Sequence, residues 1–77
     1  MINKKLLRAT AFFTLACFEK LDLKEELGWV GWDNSHWKET YKKRIKDLMQ
    51  FELTQNNLVN IANYCNFLWN MEGGDKD

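Results

Sequence analysis

The first apolar stretch of the chain has no polar side. Leu6, Leu7, Phe12, Phe13, Leu15 and Phe18 point in nearly every direction at 100° per residue, with only Arg8 charged among them. That distribution predicts a helix covered all round, over about residues 3–27, stopping where Gly28 follows Lys24-Glu25-Glu26-Leu27. A loop, Gly28-Trp29-Val30-Gly31-Trp32-Asp33-Asn34, leads to Asn34 or Ser35 as the cap of a second helix over about 36–53. Its spacing turns Trp37, Tyr41, Leu48 and Phe51 inward, with Arg44 in the same stripe, and leaves Lys38, Lys42, Lys43 and Lys46 on the solvent side. After a break at Thr54-Gln55-Asn56, a third helix is predicted over about 56–70, with Gly73-Gly74 beyond it. Leu58, Ile61, Ala62, Cys65, Leu68 and Trp69 share one face of that helix. Asn56, Asn60, Asn63 and Asn70 fall within an arc of about 80° opposite, with Phe67 among them.

The chain contains no proline and no internal repeat, so the expected fold is all-α: three helices in one helical domain, with a short charged disordered tail over 72–77. Three helices cannot surround the first of them. Assembly into a helical homo-oligomer is therefore expected, and size argues the same way. A domain of 77 residues buries only about 60% of its unfolded surface, which leaves burial and chain entropy close to balance. The two cysteines, Cys17 and Cys65, allow at most one disulfide and bring no metal-ligand spacing.

Charge narrows the partners further. Eleven basic and eleven acidic side chains give no net charge to drive counterion release, so a nucleic acid polymer is not an expected partner. The balance conceals an asymmetry, because fifteen of these charges lie between Glu19 and Glu52 and none lies between Leu53 and Met71. Near the N-terminus, Lys4 and Lys5 precede an apolar stretch as in a signal peptide. Arg8, Thr10 and Thr14 break that pattern, and six asparagines with Gln55 make the stretch from Leu53 to Met71 costly to insert in a bilayer. The expected location is the cytoplasm, with no membrane contact and both thiols reduced.

The asparagine ribbon has two compatible readings. Buried amides must be paired and can fix one register between copies. An amide also offers a donor beside an acceptor, as a nucleobase edge does, so Asn60 and Asn63 are candidate ligand contacts. Arg44 in an inward stripe needs an anion, either a carboxylate such as Glu19 or Glu26 or the phosphate of a ligand. Trp29 and Trp32 either plug the end of the bundle or stack on a base. Asp33, Asn34, His36, Trp37 and Tyr41 flank them and complete the candidate set, in which no catalytic nucleophile has a base at readable spacing.

Phe12-Phe13 through Glu19-Lys20-Leu21, then GWVGWDN over 28–34, then NLVNIANYCNFLW over 57–69 resemble small all-α phage and prophage proteins. These are similar in pattern to MazG-like nucleotide pyrophosphohydrolases. The resemblance extends over most of the chain and implies a nucleotide-sized pocket. It departs where that family holds Mg²⁺: Glu25-Glu26 run into Leu27-Gly28-Trp29 without a spaced third glutamate, and Asn60 stands at the late-helix acid. The expected function is non-enzymatic. The protein would oligomerise and sequester a nucleotide-like ligand, a defence second messenger by analogy, using no cofactor. The alternatives are a Mg²⁺-dependent pyrophosphohydrolase working through Glu19, Glu25, Glu26 or Asp47, and an inhibitor that docks on a host enzyme.

Overall fold

The computed structural model describes residues 2–73, which form three α-helices and no strand. Helix α1 spans Lys4–Glu26, α2 spans Lys38–Met49 behind a 3₁₀ turn at Ser35–Trp37, and α3 spans Gln55–Met71. Local chemistry sets each boundary. The Asn3 carboxamide accepts from the Leu6 amide at 2.8 Å, Asn34 from His36 at 2.9 Å, and the Thr54 hydroxyl from Asn57 at 3.1 Å. Each satisfies an amide that the first helical turn leaves without a partner.

Gly28 ends α1 in the left-handed region, at φ 84°. Its amide donates to the Glu25 carbonyl at 2.9 Å, and the Trp29 amide donates to the Lys24 carbonyl at 3.0 Å. This paired closure reverses the chain and brings Trp29 back over the helix, where the Lys24 ammonium sits 5.1 Å from the centre of its ring. The second helix is shorter than its pattern predicts. Gln50 caps it, so Phe51 lies beyond its end and is 67% exposed rather than turned inward. Of the tail expected over 72–77, Glu72 and Gly73 belong to the α3 cap, and residues 74–77 lie outside the described residues.

Helix α3 is the hub, packing against both α1 and α2. The start of α2 meets the end of α3, where Lys38 pairs with Glu72, so these two helices run antiparallel. The core is one aromatic knot. Tyr41 of α2 and Phe67 of α3 are the buried hydrophobic side chains, with ring centres 5.2 Å apart. Trp29 and Trp32 each lie 5.3 Å from Phe67, and Tyr64 stacks on Tyr41 at 5.4 Å. The Tyr41 hydroxyl donates to the Trp32 carbonyl at 2.9 Å and pins the loop to α2. Burial, with Tyr64 and Asp33 nearby, pushes the Tyr41 phenol up, so it remains a donor.

The knot reverses the faces that the spacing of α3 predicts. Asn63 and Phe67 are buried, whereas Leu58, Cys65 and Trp69 on the opposite face are exposed. Phe67 lies among the amides and reaches the knot, so Asn63 is buried and Asn60 and Asn70 are half-buried. Asn56 at the start of the helix is exposed, and Ile61, Ala62 and Leu68 of the apolar face are half-buried. In α1 none of the residues from Ile2 to Leu15 is covered, so the helix expected to be enclosed stands in the open.

Replacing Gly28 by alanine forces a Cβ into the left-handed region and loosens the α1 cap. The expected cost is about 1–2 kcal/mol in chemical denaturation, with far-UV circular dichroism of the folded state unchanged.

Candidate functional site

The turn at Gly28 sets the last two turns of α1 against α3 and leaves an open cleft of about 550 Å³ between them. Its walls are Lys20, Leu23, Lys24 and Leu27 of α1, Gly28 and Trp29 of the turn, and Asn60 of α3. That volume lies in the range of small-molecule sites, roughly 300–1,000 Å³. The spacing of Lys20, Leu23, Lys24 and Leu27 places all four on one side of the helix, so α1 supplies both cations and the apolar floor.

Three features give the cleft its chemistry. The carboxamide oxygen of Asn60 is buried and has no hydrogen-bond partner, an omission that costs about 1–3 kcal/mol unless something donates to it. The Lys24 ammonium lies over both the Trp29 ring and the Tyr64 ring, at 5.1 and 5.4 Å, with no carboxylate in ion-pair contact among the described residues. Burial lowers the Lys24 pKa, and the Arg44 guanidinium lowers it further. The third feature is Lys20, held against α3 by donating to the Asn56 carboxamide oxygen at 3.2 Å. A half-buried cation beside a second cation, a half-buried indole and an acceptor without a donor form a site suited to an anion that carries a planar polar ring.

The sequence candidates divide around this cleft. Trp29 and Asn60 line it. Arg44 is exposed, not inward as its stripe predicts, and forms no ion pair with Glu19 or Glu26 among the described residues. Its charge instead reaches Lys24. Trp32 and Tyr41 belong to the aromatic knot. The buried Asn63 side chain donates to the Cys17 carbonyl at 3.4 Å and ties α3 to α1. Asn34 is a helix cap, Asp33 and His36 are exposed, and Trp37 is exposed where the spacing of α2 predicts an inward side chain. Cys17 and Cys65 are both free thiols.

Lys20 and Lys24 are not among the candidates that the sequence pattern suggests. Their signal was present in the i, i+4 spacing, but lysines within a run of acidic residues look like an ordinary solvated face. Among the described residues no three His, Cys, Asp or Glu side chains converge within one chain. The carboxylates that a residual pyrophosphohydrolase would need, Glu19, Glu25, Glu26 and Asp47, thus form no such group there. No helix among the described residues is long and apolar enough to cross a membrane. No protein-family model, curated protein or solved structure matches the chain.

Lys24 titrates lower in the fold than in the unfolded chain, so the unfolded state binds more protons in the interval between the two values. Stability contributed by this residue rises with pH across that interval, which ends near the ordinary lysine value of about 10.4. Lys24→Met is expected to flatten that rise in urea titrations at successive pH values, and at pH 7 to leave the fold as stable as the parent or more so.

Proposed function

We propose that the protein is a non-enzymatic, self-associating helical binder of a nucleotide-like anion, and that the α1–α3 cleft is its binding site. The observation that carries the proposal is the buried, unpartnered oxygen of Asn60 in the same wall as Lys24 and Trp29. A nucleobase amino group would donate to that oxygen, the indole would lie against the ring, and Lys20 and Lys24 would meet the phosphate.

Self-association is supported by surface. The chain exposes 6456 Å², against about 4,900 Å² for a compact monomer of 9.2 kDa. Much of this surface is apolar, with Leu6, Leu7, Phe12, Phe13, Leu15 and Phe18 of α1 each 45–66% exposed, and one side of a standard protein interface needs about 800 Å².

The resemblance to phage-type proteins supplies the biological role, sequestration of a nucleotide second messenger in the host cytoplasm. Sequestration requires a dissociation constant near nanomolar, about −12 kcal/mol. Two ammonium groups, an indole and a base-edge acceptor acting together are the anchors available for it. The inhibitor reading would use the same exposed apolar faces, and it predicts no response to nucleotides.

The test is a thermal-shift panel of nucleoside monophosphates, diphosphates and cyclic nucleotides, with and without Mg²⁺, followed by recovery of the ligand. At a hundredfold excess over the dissociation constant a true ligand adds about 2.7 kcal/mol, worth a rise of about 10 °C or more in a domain this small. Lys24→Met should weaken it at least about tenfold, the loss of one charged hydrogen bond. Asn60→Leu should reduce discrimination between bases while the fold holds, and the ligand should return intact. Silence across the whole panel would refute the nucleotide reading, and chemical conversion of the ligand would refute the non-enzymatic one.

A further inference from the structure

Helix α1 turns Ala16, Cys17, Lys20, Leu21 and Lys24 toward α3, and these are its partly covered residues. At 100° per residue, Lys4, Arg8, Leu15, Phe18, Asp22 and Glu26 all fall within about 50° of the opposite direction. All six are exposed. None of the four charged ones forms an ion pair within the chain among the described residues. Ala11 and Glu19, also exposed, fall in the same arc, so along this outer face the order is two basic residues, a largely apolar centre, then three acidic residues. The spacing is symmetrical about Leu15: Lys4 and Glu26 each lie eleven residues from it, and Arg8 and Asp22 each lie seven.

We propose that this face is covered by the α1 helix of a second copy, packed antiparallel about a two-fold axis at Leu15. This rests on the self-association reading and assigns it a surface and a register. A two-fold pairing requires a self-complementary patch, and the symmetry about Leu15 provides one. Lys4 of each copy meets Glu26 of the other, Arg8 meets Asp22, and Leu15 meets Leu15. In the same register Phe18 of each copy lies across from Phe12 of the other, at the edge of the face, and Glu19 lies across from the small Ala11. An apolar groove lined by Leu7, Ala11, Thr14 and Phe18 adjoins that seam. In-register parallel packing would set Lys4 on Lys4 and Asp22 on Asp22, so charge selects the antiparallel direction. The macrodipoles of two antiparallel helices add to that preference. The uncovered surface has the size that such a contact needs, and the exposed Phe18 and Leu15, at 61% and 52%, are its apolar centre.

Sedimentation velocity tests the pairing. The parent chain is expected to run at twice its 9.2 kDa mass. Arg8→Glu places like charges opposite Asp22 at two symmetry-related positions and should raise the dissociation constant by about tenfold or more. The double variant Arg8→Glu, Asp22→Arg recreates both pairs with their signs exchanged and should restore the parent mass. Far-UV circular dichroism checks that each variant stays helical, and both changes are at exposed sites outside the cleft. A monomeric parent chain would overturn self-association together with this pairing. An assembled parent whose mass is insensitive to Arg8→Glu, or a double variant no better than the single, would overturn the pairing alone. Nucleotide-induced thermal shifts report on the cleft separately.

Discussion

Everything else in this molecule depends on Phe67 reaching Tyr41. A chain of this size has room for one compact core, and it is made by rings: two tryptophans from the glycine loop, one tyrosine from α2, and a tyrosine and a phenylalanine from α3. Buried aromatic contacts of this kind contribute about 0.5–1.5 kcal/mol each beyond their area, and five rings sharing contacts resist being turned singly. Because Phe67 sits among the asparagines, α3 must point its amide side inward. Asn63, the buried amide, is tied to the Cys17 carbonyl, and Asn56, exposed at the start of the helix, accepts from Lys20. Leu58, Cys65 and Trp69 are the residues displaced to the surface in exchange.

The same constraint shapes the cleft. Docking α3 by its amide side places Asn60 against the last turns of α1, and the closure at Gly28 folds Trp29 over the end of that helix. Lys24 is then held between two rings and beside Arg44, where its charge is disfavoured. The cleft thus stores an unpaired acceptor and an unpaired cation close together. Both are liabilities to the fold alone, and both would be relieved by a bound anion that carries a donor.

Much of the architecture was legible in the chain. The three helices, the glycine stop of α1 and the asparagine cap before α2 follow from side chains whose effect is local. Orientation was less legible. Periodicity places Leu58, Cys65 and Trp69 on one face of α3 and Asn56, Asn60 and Asn63 on the other, but which face turns inward depends on a long-range contact between rings. For α2 the same logic carried too far. Trp37, Arg44 and Phe51 share a stripe with Tyr41, yet one helix face can bury only what α3 is long enough to cover. In the cleft, Trp29 stood out by its glycine setting and Asn60 by its ribbon. Lys20 and Lys24 became visible only when burial separated them from the other lysines.

The central claim is that α1, whose residues from Lys4 to Leu15 are exposed within one chain, is completed by a second copy. Amide hydrogen exchange of residues 6–18, followed at high and low protein concentration, tests this most directly. Local openings without tertiary cover cost little, so in an isolated chain the amides of this segment should exchange far faster than those of α3 around Phe67. Association predicts protection of 6–18 at high concentration that is lost on dilution, while α3 loses less. Protection of that segment that is the same at both concentrations would contradict the account.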